Sequence, residues 1–202
     1  MSNQQNDSEA PENLQDSYDK TQRLRDKLLP EIEAFKAERL TLQLATQDKA
    51  GIPNASYAPF ALADDGFYIL ASEVARHGTN LKQSPLVSVM LLEDETEAKT
   101  VFARKRLTFD AVAELVERDS EAFSKGIAVL SARFGEMVDN LSQLTDFNLF
   151  KLNPKQGLYV KGFGQIFSLS GSELLDIDLK RDGHNGAPPK VELTHKPNAM
   201  PA

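Results

Sequence analysis

RLTLQLATQDKAGIPNASYAPFALADDGFYILASEVARHGTNLKQSPLVSVMLLE, residues 39–93, contains three extended runs, TLQLAT, NASYAPFAL and FYILAS, separated by the turn signals DKAG at 48–51 and ADDG at 63–66. Short β-rich runs punctuated by Asp and Gly predict consecutive antiparallel strands, here a β-meander. Leu40, Leu42 and Leu44 alternate with Thr41, Gln43 and Ala45, so the leucines share one face of the first strand and Thr41 lies on the other. There Thr41 is either an ordinary β-branched strand residue or part of a pocket wall. Pro53 and Pro59 have no N–H to give a ladder and predict an edge or a bulge. Residues 72–85 predict a short helix capped by Ser72, with Val74 and Leu81 inward and Arg76, His77, Asn80 and Lys82 facing solvent or a ligand. A serine cap with cations beside it suits a bound anion, and the same residues suit a solvated face. LVSVMLLE, after Pro85, is a fourth strand.

Upstream, residues 1–19 are polar and acidic and predict a disordered tail, because they bury too little to offset the entropy of ordering. Leu24, Leu28, Ile32 and Phe35 follow at helical spacing, and Pro30 among them predicts a break with a second helix starting there. Downstream, the charged connector EDETEAK leads to residues 100–117, read as a long, bulged strand in which Arg104 and Arg106 share the face opposite Leu107 and Phe109. Two guanidiniums so placed either grip carboxylates or form an exposed basic strand. Residues 120–144 predict a helix capped by Ser120, with Phe123, Ile127, Leu130 and Phe134 on one stripe, ended by Gly135 and followed by a short helix carrying Met137, Val138 and Leu141. DFNLFKL and QGLYVKGFGQIFSL then read as two strands joined by an NPKQG turn, with Asp146 opening the first. Ser170 and Glu173 stand at capping-box spacing, so residues 170–179 predict a short helix or turn. The organisation expected is a tail at 1–19, a barrel domain with an N-terminal helix at 20–180, and a flexible tail at 181–202 carrying His184 and His195.

The 202 residues, 41% hydrophobic, are enough for one core. No apolar run is long enough for a membrane span, and the acidic start is unlike a signal peptide, so a cytoplasmic protein is expected. The absence of Cys removes disulfides, thiolate metal sites and cysteine nucleophiles. Of the net charge of −7, Asp7, Glu9, Glu12, Asp16 and Asp19 contribute five units, leaving −2 for the rest. A nearly balanced body lacks the basic footprint of general nucleic-acid binding.

No phosphate loop, nucleophile elbow or paired-histidine metal motif is present, and the three histidines are His77, His184 and His195. So few ligands are insufficient for a zinc hydrolase without carboxylate help. One imidazole suffices as axial ligand to haem iron, where the porphyrin supplies four nitrogens, and a tail histidine is equally a solvated loop residue.

The blocks TLQLAT, SYAPF, ARHGTNL, EDETEAK, FARKRLTFDAVAELVERDSE, RFGEMVDNLSQLTDF and QGLYVKGFGQ resemble the bacterial haem-utilisation proteins of the HutZ/HugZ type. These are a branch of the pyridoxamine 5′-phosphate oxidase-like, FMN-binding split-barrel superfamily, and the resemblance covers residues 28–184. It implies a mainly β protein with flanking helices (α+β), a six-stranded split β-barrel, homodimeric, with haem b at the dimer interface. It further implies His184 as axial iron ligand, Asp146 of the other subunit as hydrogen-bond acceptor for that imidazole, Thr41 near the interface, and Arg106 on the distal side or at a propionate. His77 lies in a block shared with the flavin relatives and is a cofactor-binding candidate common to both branches. The implied activity is O₂-dependent opening of the porphyrin with iron release, driven by ascorbate or a reductase. Two alternatives accompany it: an FMN-dependent oxidoreductase holding phosphate near Ser72 and Lys82, and a non-catalytic haem storage or delivery protein.

Overall fold

The computed structural model describes residues 10–170 and 176–179. Its strands are β1 (Thr41–Gln47), β2 (Pro53–Pro59), β3 (Ala61–Ala63), β4 (Gly66–Ser72), β5 (Leu86–Leu92), β6 (Arg106–Leu115), β7 (Phe147–Gly162), β8 (Gln165–Ser170) and β9 (Asp176–Leu179). Its helices are α1 (Ala10–Glu38), α2 (Arg76–Gln83), α3 (Glu121–Phe134) and α4 (Glu136–Ser142). The strands form one antiparallel sheet in the order β2-β1-β5-β6-β7-β4-β3, with β8 on β7 and β9 on β8. Phe60 alone separates β2 from β3 in the chain, yet these strands stand at opposite ends of that order. The sheet must therefore curl until its two ends are neighbours without a ladder between them, which is a split barrel.

The barrel closes on apolar side chains that alternate along each strand. In β1 the buried residues are Leu42, Leu44 and Thr46, and in β6 they are Leu107, Phe109, Ala111 and Ala113. Burying the leucines and Phe109 stabilises the fold by about 1.5–3 kcal/mol each. Leu28, Ile32 and Phe35 of α1 complete that core, and Phe35 meets the buried ring of Tyr159 at a centroid distance of 6.0 Å. A smaller core lies under α3 and α4, where Leu130 and Val138 pack on Tyr68 and Leu149. Arg133 of α3 lies over the Phe60 ring and donates to the carbonyls of Ala37 and Arg39, tying the end of α1 to the closure point.

Several expectations change. The three runs of residues 41–72 are not a simple meander: β4 pairs with β7, six rungs from Phe67↔Leu152 to Ser72↔Phe147, rather than with β2. Pro59 and Phe60 break the second run into β2 and β3; with β8 set off by a late reversal and with β9, there are nine strands among the described residues where the resemblance implies a six-stranded barrel. α1 passes through Pro30 without a break. Pro30 is exposed, and the turn after it is held from outside: Glu31 accepts from the Tyr159 hydroxyl at 2.9 Å and from Lys161 at 2.5 Å. Those contacts and the buried stripe offset the lost intrahelical bond. The helix also begins at Ala10, inside the segment expected to be disordered, because extending an anchored helix needs no new nucleus. NPKQG is not a turn but part of continuous β7. Asp110 faces Gln156 while Ala111 faces Pro154, so Lys155 is the extra residue of a bulge that absorbs the proline. The reversal comes later, at Phe163 and Gly164, where Gly164 has φ of 69°. Residues 176–179 are a strand rather than a helix, and the capping-box Glu173 lies outside the described residues.

Among the described residues no helix is long and apolar enough to cross a membrane. The Ser120 cap, the α3 stripe and the Gly135 stop stand as expected: Ser120 accepts from the Phe123 N–H, and Gly135 ends α3 at φ 74°.

Asp65 links the two layers. Its carboxylate meets Lys125 of α3 at 3.0 Å and Lys151 of β7 at 3.1 Å, and accepts from the Tyr68 hydroxyl at 3.1 Å. Burial alone would raise its pKa, but these three hydrogen bonds outweigh it and bring the group from 3.8 to about 2. A depressed carboxylate stabilises the fold above its ordinary pKa and loses that contribution as pH falls through its folded value. Asp65→Asn is expected to lose about 1 kcal/mol at pH 7, discounted for its exposure, and to converge on the parent protein near pH 2 in urea unfolding.

Candidate functional site

The sequence candidates fall at two places in the sheet. Thr41 opens β1, exposed and facing away from the core. Continuing the register Gln43↔Met90 puts Thr41 beside Leu92, whose partner on β6 is Arg106, and Arg106 in turn faces Val160 at the C-terminal end of β7. Thr41 and Arg106 thus lie on one cross-strand row, two strands apart, roughly 10 Å. Arg104 is committed elsewhere: its guanidinium donates to the Glu93 carbonyl and to Glu95 at 3.2 Å. Among the described residues Arg106 has only a long 3.5 Å contact to the Arg104 carbonyl, so its donors are available. β9 runs toward this same end, since Leu179 pairs with Phe167 next to the Ile166–Val160 rung.

Asp146 lies at the other end of β7. Fourteen positions of strand path separate it from Val160, on the order of 45 Å before bulge and curl shorten it. Here the loop 73–75 and α2 gather. Asp146 Oδ2 accepts from the Ser72 hydroxyl at 2.7 Å, and its backbone carbonyl accepts from Glu73 N at 2.8 Å and Asn148 Nδ2 at 3.4 Å. Glu73 accepts in turn from Lys82 at 2.6 Å and Asn148 at 2.9 Å, and these bonds hold its pKa below the ordinary value. His77, on the first turn of α2, is half-buried, and desolvation lowers its pKa, favouring the neutral imidazole.

The helix differs in detail from expectation. Ser72 does not cap α2: the helix starts four residues later behind Ala75, which has no side-chain cap, while the Ser72 hydroxyl accepts from the Val74 N–H and donates to Asp146. Val74 is not inward but 89% exposed, while Asn80 is buried and donates to Thr46 Oγ1 at 3.0 Å, pinning α2 to β1. Helical periodicity missed both because the packing surface is set by Gly78. A Cβ there would stand 2.1 Å from the Ser72 carbonyl oxygen, so only glycine lets α2 lie this close to the end of β4. An isolated Gly within a helical pattern is the signal that pointed to such an approach. Ser72 and Asn148 are the partners of Asp146 that sequence reasoning did not find. His184 lies outside the described residues, as does His195.

Between the two ends, the outward faces of β5, β6, β7 and β8 form a concavity of about 430 Å³, lined by Ser88, Thr108, Asp110, Gln156, Leu158 and Ser168. Polar side chains alternate there with the apolar Phe109, Leu158 and Leu169. Among the described residues no group of His, Asp and Glu is arranged to hold a bare metal ion.

The architecture matches that of a known family. A profile of the pyridoxamine 5′-phosphate oxidase family matches residues 28–161, and the chain belongs to that family. It is 56% identical over 169 residues, 84% of this chain and 96% of the relative, to the haem oxygenase HutZ of Vibrio cholerae serotype O1. Among solved structures, that of Vibrio cholerae HutZ, described as a haem storage protein, superposes with a TM-score of 0.65 at 61% identity, covering 68% of this chain and 96% of that one. Campylobacter jejuni ChuZ superposes at 0.70 with 32% identity, covering 84% and 68%.

Gly78→Ala places a methyl group against backbone that has no rotamer to relieve it. It is expected to lower stability by about 1–3 kcal/mol in denaturant unfolding, and to raise amide exchange in α2 more than in β6.

Proposed function

We propose that two copies of the chain bind haem b between them and open its ring oxidatively, releasing iron, in cytoplasmic haem-iron utilisation. The observation that carries this reading is the division of the candidate residues between the two ends of β7. Arg106 and Thr41 share one end, and the chain leaves β9 there at Leu179, five residues before His184, within a reach of about 17 Å. Asp146 stands at the opposite end. An imidazole from one protomer and a carboxylate from its partner would satisfy this layout. The names of the relatives, haem oxygenase and haem storage protein, support the ligand and leave open degradation or storage.

Each residue then has a defined task. His184 would hold the iron, and Asp146 would accept the imidazole N–H, orienting the ring and raising its basicity. Arg106 would supply a cation to a haem propionate, and Thr41 would offer a hydroxyl at the same end. Bound haem supplies the redox-active iron, with electrons from ascorbate or a reductase. A flavin reading follows from the family, and in this chain the hydroxyl and ammonium expected at its phosphate are occupied: Ser72 by Asp146 and Lys82 by Glu73. A phosphate there meets two carboxylates.

Reconstitution with haemin tests the proposal. His184→Ala is expected to shift and weaken the Soret band, and an unchanged band removes the ligand assignment. Ascorbate in air is expected to bleach the parent complex and release iron, with Asp146→Ala slower by about 10–100-fold. Haem that stays intact indicates storage, and isolation as a yellow flavoprotein without haem affinity indicates the FMN-dependent oxidoreductase.

A further inference from the structure

We infer that Ser72 is a positioning residue for the haem site, acting through Asp146; this rests on the haem reading above. Ser72 Oγ accepts from the Val74 N–H at 3.1 Å and lies 2.7 Å from Asp146 Oδ2. With one lone pair taken by the Val74 N–H, the single hydroxyl proton is directed to Oδ2. The backbones of the two segments are joined as well, by Glu73 N to the Asp146 carbonyl at 2.8 Å and by the terminal rung Ser72↔Phe147. Asp146 therefore has its main chain and one carboxylate oxygen fixed. Among the described residues Oδ1 takes no hydrogen bond, and the residue is half-buried rather than enclosed.

That arrangement suits a carboxylate that orients a ligand from outside its own chain. A carboxylate free to rotate about its side-chain torsions offers an imidazole N–H a moving acceptor, and ordering it on binding costs entropy. Anchoring one oxygen leaves the other at a fixed position for the incoming donor, so the orientation of the axial imidazole is set in advance. The hydroxyl thus does for Asp146 what Asp146 does for the imidazole.

The test uses the full-length, haem-reconstituted protein as Ser72→Ala, Ser72→Thr, Asp146→Ala and Ser72→Ala/Asp146→Ala. The readouts are the Fe–His stretching frequency of the ferrous form by resonance Raman and the haem midpoint potential. Crystals of the haem-free parent and Ser72→Ala proteins report the Asp146 rotamer. Ser72→Ala is expected to move both haem readouts toward those of Asp146→Ala and to release the Asp146 rotamer, with turnover falling about 10-fold. Ser72→Thr, which keeps the hydroxyl, is expected to stay at parent values, and the double variant to match Asp146→Ala. Parent values for Ser72→Ala, with Asp146→Ala displaced, overturn the role of Ser72 and leave the haem reading intact. Parent values for Asp146→Ala overturn the assignment of Asp146, and the role of Ser72 with it.

Discussion

β7 sets the geometry of the whole molecule. Sixteen residues long, it pairs with β6 along one side, while on the other side β4 takes its first half and β8 its second. A strand with different partners on its two halves bends between them, and the bulge at Lys155 is where it does so. Gly157 lies just past that bend, where a Cβ would stand 2.6 Å from the Thr108 carbonyl oxygen. The bend brings β4 and β3 round to β2, so that Phe60 bridges the two ends of the sheet. Because β7 is continuous, it also separates what lies at its ends, with Asp146 at one and the Arg106 rung at the other.

That separation gives the local networks their meaning. At the Asp146 end, the basic and hydroxyl groups are paired with acids of the same chain: Ser72 with Asp146, Lys82 with Glu73, and Arg76 with Asp48 at 3.9 Å. A site charged in this way offers acceptors to an incoming N–H. At the Arg106 end the reverse holds, since Arg106 remains free to donate while Arg104 is absorbed by its own loop. One end offers a carboxylate and the other a guanidinium, the complementarity on which the proposed shared site rests.

The strands and helices that pack by simple periodicity were legible in the sequence. The burial of Leu42 and Leu44 in β1, though not of Leu40, which is exposed before the strand, the Phe123–Phe134 stripe and the Ser120 and Gly135 boundaries of α3 each follow from one local rule and stand in the structure. What was not legible depends on partners distant in sequence. Pro30 reads as a break until Tyr159 and Lys161 are seen to hold Glu31, and NPKQG reads as a turn until β6 is seen to run on past it. Ser72 reads as a cap because its proper partner, Asp146, is 74 residues away. The family resemblance points to Thr41, Arg106 and Asp146 from sequence alone; the geometry adds that Thr41 and Arg106 share one end of the sheet while Asp146 stands at the other end of β7.

The most direct test mixes two inactive variants. His184→Ala and Asp146→Ala proteins, each impaired alone, are unfolded together, refolded and reconstituted with haemin. If each site takes its histidine from one protomer and its aspartate from the other, the mixed dimer holds one intact site, and haem turnover returns to about a quarter of the parent value at random reassortment. Turnover that stays at the level of the separate variants, with mixed dimers shown to form, would contradict a site shared across the interface.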